Sequence, residues 1–263
     1  MIPIKKGKEI DKMREAGRRA AEIIGKVSSL VRPGITTGEI DQAAADFTSQ
    51  LGCKSAFLGY RGFPGHICIS LNEEVVHGIG GARRIQYGDI VKLDIGVFYD
   101  GYVGDTATTV SAGVIDSKIQ RLLEVTEGSL YLAIQKAVAG NCVGDISSAV
   151  EDEIVANGFS VVREFVGHGV GRKLHEEPQV PNFGRPKTGA RLRPGMTLAI
   201  EPMVNMGTSA VKILADGWTV VSADKRPSSH FEHTVLITEG APEILTKREN
   251  SPATSLSPAQ NLL

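Results

Sequence analysis

An internal repeat is the feature of this sequence that most restricts its fold. Four positions of the first half, Gly34, Gly38, Ile40 and Gly52, recur at an offset of 106 residues as Gly140, Gly144, Ile146 and Gly158. Asp94 and Glu201 extend the repeat, because each stands six residues after a glycine and the two are 107 positions apart. Two copies of one unit, packed about a pseudo-two-fold axis, would bring equivalent strands together and with them these two carboxylates.

The predicted helices follow the same order in both halves. Apolar residues at three- and four-residue intervals predict a helix over 8–31, and a capping box of Thr36 and Glu39 predicts a second helix that ends at Gly52. Helices are predicted again over about 118–138 and 145–157.

Strands are predicted after each pair of helices. They lie at 67–71, after Gly88 and after the Asp100-Gly101 turn in the first half, and at 160–165, 197–204, 219–222 and 232–238 in the second. The pattern is typical of an α+β protein.

The charge balance argues against partners that long-range electrostatics would attract. The 263 residues include 29 basic and 30 acidic side chains, so a net charge of −1 gives no field for a phosphate backbone or an anionic membrane. The 3 cysteines lack a C-x-x-C spacing, which disfavours a zinc knuckle and a disulfide framework. The sequence shows neither an N-terminal signal pattern nor an apolar run of about eighteen residues. We therefore expect a cytoplasmic monomer that binds neither nucleic acid nor membranes.

Strand alternation places two aspartates on one face of a predicted hairpin. In residues 90–98 the odd-numbered positions from 91 onward are apolar, so Asp94 points away from the apolar layer. With a two-residue turn at Asp100-Gly101, Asp94 lies opposite Ala107, and Asp105 is its diagonal neighbour on the same face.

Glu201 and Glu232 occupy comparable positions in two predicted strands of the second half. Four acidic side chains on one concave surface would repel one another by several kcal/mol unless they were protonated or bridged by cations. The sequence therefore predicts a metal site between the two halves.

Two histidines of the segment GHGVGRKLHEEPQV are candidates for the remaining ligand. His168 stands between two glycines, which allow close approach of the backbone to a buried centre, and His175 follows seven residues later. The residues alone leave open that either is an ordinary loop or core histidine. Pro178 excludes an H-E-x-x-H helix beginning at His175, and neither a dinucleotide-binding motif nor a nucleophile elbow is supported.

Five segments, in this order and spacing, resemble type I methionine aminopeptidases. They are CISLNEEVVHGIG, GDIVKLDIGVFYDGYVGDT, GHGVGRKLHEEPQV, RPGMTLAIEPM and FEHTVLIT, and the resemblance extends over about residues 4–246. It implies the pita-bread fold, in which two pseudo-symmetric αβ halves surround a curved antiparallel sheet. We expect one domain of the short bacterial type over 1–249, with repeats of about 8–115 and 116–247, and a disordered tail over 250–263.

The resemblance also implies a reaction, the removal of the initiator methionine from peptides and nascent-chain N-termini, including chains at the ribosome, with preference for a small second residue. It implies two divalent ions, and the donor types leave Co, Mn, Fe and Zn open. The implied ligands are Asp94, Asp105 and Glu232 for one ion and Asp105, His168, Glu201 and Glu232 for the other. By the same resemblance, Glu201 moves the proton of the attacking water, and His77 and His175 contact the peptide group of the substrate.

The expected methionine pocket is inferred by resemblance alone. Its implied lining is Tyr60, Phe63, Cys68, His77 and Trp218. Phe57, Leu174 and Gly80 depart from the family's usual residues, so the shape of the pocket is open.

Three other functions remain open at this point. Xaa-Pro peptidases share the fold and ligand types but usually carry a further N-terminal domain, whereas only 93 residues precede Asp94. A pita-bread module that binds proteins without catalysis would generally have lost ligands. A calcium-binding acidic cleft would use oxygen ligands alone and would not need His168.

Overall fold

Two pairs of helices flank the strands of the molecule. The computed structural model describes residues 2–248. Its helices are α1 (Lys8–Ser28), α2 (Thr37–Gln50), α3 (Ser117–Lys136) and α4 (Val143–Ala156). All four predicted helices are confirmed, whereas the predicted tail at 250–263 lies outside the described residues.

The second helix of each pair begins in the same way. The Thr36 side chain accepts from the backbone of Glu39, whose carboxylate accepts from the Thr36 N–H, so the predicted capping box is present. At the equivalent position of the second half, the Cys142 N–H donates to the Asp145 carboxylate at 2.7 Å.

The strands are short apart from one long hairpin. They are β1 (Lys54–Ser55), β2 (Cys68–Leu71), β3 (Glu74–Val76), β4 (Ile90–Tyr99), β5 (Tyr102–Ser111), β6 (Ser160–Val161), β7 (Gly167–Gly169), β8 (Glu176–Val180), β9 (Thr197–Ile200), β10 (Met203–Asn205), β11 (Val211–Ile213), β12 (Val220–Ser222), β13 (Ser228–His230), β14 (His233–Leu236) and β15 (Glu243–Ile244). The sheet orders are β1-β4-β2 with β5 beside β4, β13-β10-β6, β11-β12-β3 and β15-β14-β9-β7-β8.

All four strands predicted in the second half are shorter than predicted, the one at 219–222 by a single residue. The strand expected over 160–165 ends at Val161, and the one expected over 197–204 is interrupted at Glu201 and Pro202. Proline has no N–H to donate to a ladder, so the pairing stops there and resumes at β10. The last predicted strand begins at His233, which leaves Glu232 outside the ladder.

The pairing registers repeat between the halves. In the first half β1 pairs with β4 as Lys54 with Phe98 and Ser55 with Val97, and in the second β6 pairs with β10 as Ser160 with Asn205 and Val161 with Val204. Isolated bridges join Thr36 to Arg84 and Cys142 to Arg191, again at offsets of 106 and 107 residues. This is the pseudo-symmetric α+β arrangement that the sequence predicts, although the boundaries given for the repeats stay a prediction.

Each half has its own apolar core, and a third and a fourth cluster combine residues of both halves. The cores pack α1 and α2 against the β4 face in the first half, and α3 and α4 against β9 in the second. The third cluster includes Met13, Phe57, Phe63, Tyr102 and Leu174 and therefore draws on both halves. None of the helices within residues 2–248 is long and apolar enough to span a membrane.

Candidate active site

The long hairpin fixes the position of two acidic side chains. Asp94 pairs with Ala107 and Gly96 with Asp105, so the predicted diagonal arrangement is present. Val91, Leu93, Ile95 and Val97 are fully buried on the other face of β4. The two aspartates consequently face away from the core of the first half, as strand alternation requires.

Glu232 reaches the same place from the second half. Its N–H donates to the carbonyl of Ala107 at 3.0 Å, and its own carbonyl accepts from the Thr106 hydroxyl at 2.9 Å. One carboxylate oxygen from each of Asp94, Asp105 and Glu232 lies within 4.8 Å of the other two. The backbone contacts of β5 thus bring a carboxylate of each half into one cluster.

His168 and Glu201 lie beside this carboxylate cluster. His168 Nε2 is 3.4 Å from Glu201 Oε1 and 3.7 Å from Asp105 Oδ2. The other ring nitrogen, Nδ1, is 2.8 Å from the carbonyl oxygen of Gly169, which can only accept a hydrogen bond. The proton therefore belongs on Nδ1, and the Nε2 lone pair faces the carboxylates.

The glycines around His168 allow a close approach, but to neighbouring strands. A Cβ at Gly167 would lie 2.4 Å from the carbonyl oxygen of Ala199, and one at Gly169 would lie 2.3 Å from that of Glu177. These glycines therefore let β7 fit between β8 and β9, with the His168 side chain beside the carboxylates.

Burial dominates the electrostatics of the acidic groups. It raises the pKa of Asp94 to about 7 and that of Glu201 to about 8. It also raises the pKa of Asp105 and of Glu232 well above the usual range, and neighbouring carboxylates add to both shifts. Burial lowers the pKa of His168 to about 3, which keeps its imidazole neutral.

The donor set fits divalent cations. Asp105 Oδ1 and Glu232 Oε1 are buried and have no hydrogen-bond partner within residues 2–248. Buried carboxylate oxygens without donors, beside a neutral imidazole, are the groups that Mn²⁺, Fe²⁺, Co²⁺ or Zn²⁺ would satisfy.

All the residues predicted for the site line one cavity of about 290 Å³. The five candidate ligands meet there with His175 and with the expected pocket residues Tyr60, Phe63, Cys68, His77 and Trp218. The Phe63 and Trp218 rings pack edge to face with centroids 5.2 Å apart. An acidic centre and an apolar, aromatic wall therefore share one cavity.

The two histidines expected to contact substrate are held in different ways. His77 follows β3 with a φ of 60°, a left-handed conformation that is uncommon for residues other than glycine, and its ring packs edge to face on Phe165. Burial, then the nearby His230 and His175, lowers the pKa of His77 to about 4. His175 Nδ1 lies 2.8 Å from the Tyr60 hydroxyl, and burial followed by Arg61 lowers the pKa of His175.

Several residues of the cavity escaped the sequence argument. Phe165 and Met203 line its wall, and both lie within three residues of a predicted ligand. Phe57 and Leu174, which the sequence analysis named as departures that affect the pocket's shape, also line the cavity, and a Cβ at Gly96 would meet both of them, at 2.6 and 3.2 Å. Proximity to the ligands along the chain was the available signal for the first two.

His230 is a deeply buried titratable group that the sequence argument missed. It is 1% exposed, and its Nε2 lies 3.7 Å from Glu201 Oε2. Neither ring nitrogen has a hydrogen-bond partner among residues 2–248. Its position two residues before Glu232 was the only indication in the sequence that His230 lies near the site.

A second cavity, of about 570 Å³, adjoins the first. Its lining is polar and includes Arg61, Lys173, Glu177 and Gln179. His168 and His175 line both cavities and therefore stand at the border between them.

Comparison with known proteins relates this chain to metallopeptidases. The model of metallopeptidase family M24 matches residues 11–239. A methionine aminopeptidase of Clostridium perfringens is 50% identical over 246 residues, which cover 94% of this chain and 99% of the relative. The crystal structure of methionine aminopeptidase from Thermotoga maritima is 44% identical with a TM-score of 0.93, over 94% of this chain and 100% of that one.

More distant structures share the fold alone. The prolidase of Pyrococcus horikoshii is 24% identical with a TM-score of 0.77, and the match covers 94% of this chain but 64% of the prolidase. With 50% identity over nearly the full length of its relative, this chain belongs to metallopeptidase family M24 and, within it, to the methionine aminopeptidases.

Proposed function

We propose that this protein removes the N-terminal methionine from peptides and nascent proteins by metal-assisted hydrolysis, with preference for a small second residue. The observation that carries the proposal is the placement of the acidic cluster and the aromatic pocket in one cavity of about 290 Å³. A side chain seated against Phe63 and Trp218 would bring the adjacent peptide bond to the carboxylates. Substrates would include nascent chains at the ribosome in the cytoplasm.

The proposed ligands follow the donor chemistry of the site. Asp94, Asp105 and Glu232 would hold one ion, and Asp105, His168, Glu201 and Glu232 would hold a second. When bound, such ions lower the pKa of a water molecule and polarise the scissile carbonyl.

The remaining steps belong to side chains of the protein. A Glu201 carboxylate oxygen accepts the proton of the attacking water and passes it to the departing amine. His175 donates a hydrogen bond to the carbonyl oxygen as negative charge develops on it. His77, whose ring packs on Phe165 at the cavity wall, hydrogen-bonds near the scissile amide.

Turnover of defined peptides tests the proposal. Met-Ala-Ser should be cleaved in the presence of Mn²⁺ or Co²⁺, Met-Leu-Ser much more slowly, and Xaa-Pro peptides hardly at all. Cleavage of Xaa-Pro peptides in preference to Met-Ala-Ser would replace the proposal with the Xaa-Pro peptidase function. Metal binding without turnover of either peptide would favour a protein-binding module.

Histidine variants test the assigned roles. His77→Ala and His175→Ala should each lower kcat by roughly 10²-fold or more, because each removes a donor to the reacting peptide. Metal affinity, measured by calorimetry, should change little. His66→Ala is the matched control, because His66 lines neither cavity and contacts Asp41 through its backbone N–H. Wild-type kcat in both variants would contradict these roles.

A further inference from the structure

The Tyr60 hydroxyl has a contact that pocket lining does not explain. Tyr60 begins a 3₁₀ turn (Tyr60–Gly62), and its hydroxyl oxygen lies 2.8 Å from His175 Nδ1. The two rings stack at a tilt of 34° with centroids 5.3 Å apart. Within residues 2–248, His175 is the only hydrogen-bond partner of this hydroxyl.

The direction of this hydrogen bond depends on which ring nitrogen of His175 carries the proton. A neutral imidazole carries one N–H donor and one lone pair. If the phenol donates, Nδ1 is the acceptor and the ring proton must lie on Nε2. If Nδ1 were protonated instead, the phenol proton would lack an acceptor within residues 2–248, and Nε2 would present a lone pair. The first arrangement satisfies both groups.

The position of His175 makes its tautomer important for contact with the substrate. The ring stands at the border between the first cavity, which holds the carboxylates and the aromatic wall, and the second, which Lys173, Glu177 and Gln179 line. A peptide whose first side chain packs on the aromatic wall and whose later residues enter the second cavity would pass this border. Since Nδ1 faces Tyr60 and Nε2 has no hydrogen-bond partner within residues 2–248, Nε2 is the ring nitrogen left for the peptide group.

We propose that Tyr60 is a positioning residue for the reaction: its hydroxyl donates to His175 Nδ1 and holds the imidazole as the Nε2–H tautomer that donates to the substrate carbonyl oxygen. The inference rests on the proposed function. It assigns to the hydroxyl a role separate from that of the Tyr60 ring, which lines the first cavity. The neighbouring Phe63 lines the same wall without a hydroxyl.

Tyr60→Phe separates the two roles, because it keeps the ring and removes the hydroxyl. We expect kcat for Met-Ala-Ser to fall by about 10-fold or more, because a misoriented or wrongly protonated imidazole donates only a weak hydrogen bond, or none, to the substrate carbonyl oxygen. KM should stay within about 3-fold of the wild-type value. Affinity for Mn²⁺, measured by calorimetry, should not change. Tyr87→Phe is the matched control, because Tyr87 is 67% exposed and lines neither cavity.

A spectroscopic readout tests the tautomer without turnover. In metal-free protein labelled with ¹⁵N-histidine, the His175 signals, assigned by their absence in His175→Ala, should show a protonated Nε2 and an unprotonated Nδ1. Tyr60→Phe should shift these signals toward a mixture of tautomers. Wild-type kcat and an unchanged His175 spectrum in Tyr60→Phe would overturn the inference.

The variants also separate this inference from the proposed function. If His175→Ala has wild-type kcat, the role proposed for His175 fails, and with it any positioning by Tyr60. If His175→Ala is impaired, adding Tyr60→Phe should cause no further loss of kcat, because both changes remove one donor. If Tyr60→Phe lowers kcat by the same factor in the His175→Ala variant as in the wild type, Tyr60 acts independently of His175. That result would overturn the inference while the proposed function stands.

Discussion

Replacing Asp105 by asparagine should stabilise the metal-free protein and at the same time abolish its stabilisation by metal. Oxygens of Asp94, Asp105 and Glu232 lie within 4.8 Å of one another. At that distance and an effective dielectric constant of about 20, one pair of like charges costs about 3.5 kcal/mol. The neutral amide would remove two of the three pairs. Since protonation already relieves part of the repulsion in the wild type, we expect a gain of about 2 kcal/mol, or about 4–8 °C in Tm.

The assay is urea or thermal unfolding after chelation, followed by titration with Mn²⁺. The wild type should gain about 2.7 kcal/mol when free metal reaches roughly 100 times its Kd, whereas Asp105→Asn should gain little. Asp116→Asn is the matched control, because Asp116 caps α3 through the Lys118 N–H and asparagine is an equally good cap. If the chelated Asp105→Asn protein is no more stable than the wild type, the three carboxyl groups do not repel one another and the argument for cations loses its electrostatic basis.

Three further perturbations test the packing and the electrostatics. Gly104→Ala should cost about 1–3 kcal/mol in urea unfolding, because its Cβ would lie 2.2 Å from the Ala16 carbonyl oxygen; wild-type stability would show that α1 can move away from β5. Hydrogen bonds from Arg18, then Arg19, lower the pKa of Glu15 to about 2, so this carboxylate adds stability above about pH 4.3 that is lost as the pH falls toward 2. Glu15→Gln should therefore be less stable than the wild type near pH 7 and lose less of its stability on acidification, and parallel pH profiles would refute this. Finally, dialysis against a chelator should remove the peptidase activity and Mn²⁺ or Co²⁺ should restore it, whereas full activity without transition metal would exclude metal-assisted hydrolysis.

The long hairpin could be predicted from the sequence because its pattern is local. Alternating apolar residues define the buried face of β4, and Asp100 and Gly101 take positive φ values of 46° and 81°, as a tight hairpin turn requires. A correct turn fixes the register, and the register places Asp94 and Asp105 on one face. Every step of that inference concerns residues that are neighbours in the chain.

The contributions of the second half were harder to predict because they depend on contacts across the molecule. Glu232 is placed by its N–H bond to Ala107, a residue 125 positions away, and not by membership of a strand. His230 is buried beside Glu201 with no motif to mark it. The cavity wall combines side chains from separate segments, such as Phe57, Phe165 and Met203, so the packing of distant elements decides its shape.

The two copies of the repeat do not contribute to the site in the same way. Asp94 and Glu201 are equivalent in the repeat, but Asp94 lies inside a ladder, paired with both Ala107 and Cys68. Glu201 lies in the interruption before Pro202, so no partner strand fixes its direction; instead its two carboxylate oxygens face imidazoles, His168 at 3.4 Å and His230 at 3.7 Å.

This asymmetry links the chemistry to the assembly of the fold. The first half alone supplies Asp94 and Asp105, and the second alone supplies His168, Glu201 and Glu232, so neither half holds the proposed donor set by itself. Hydrogen bonds also join the halves at this place: the Thr234 hydroxyl donates to the carbonyl of Asp105 at 2.7 Å. Cations bound to ligands from both halves would therefore complete the catalytic site and also stabilise the packing of the halves, because binding that requires the folded state stabilises that state.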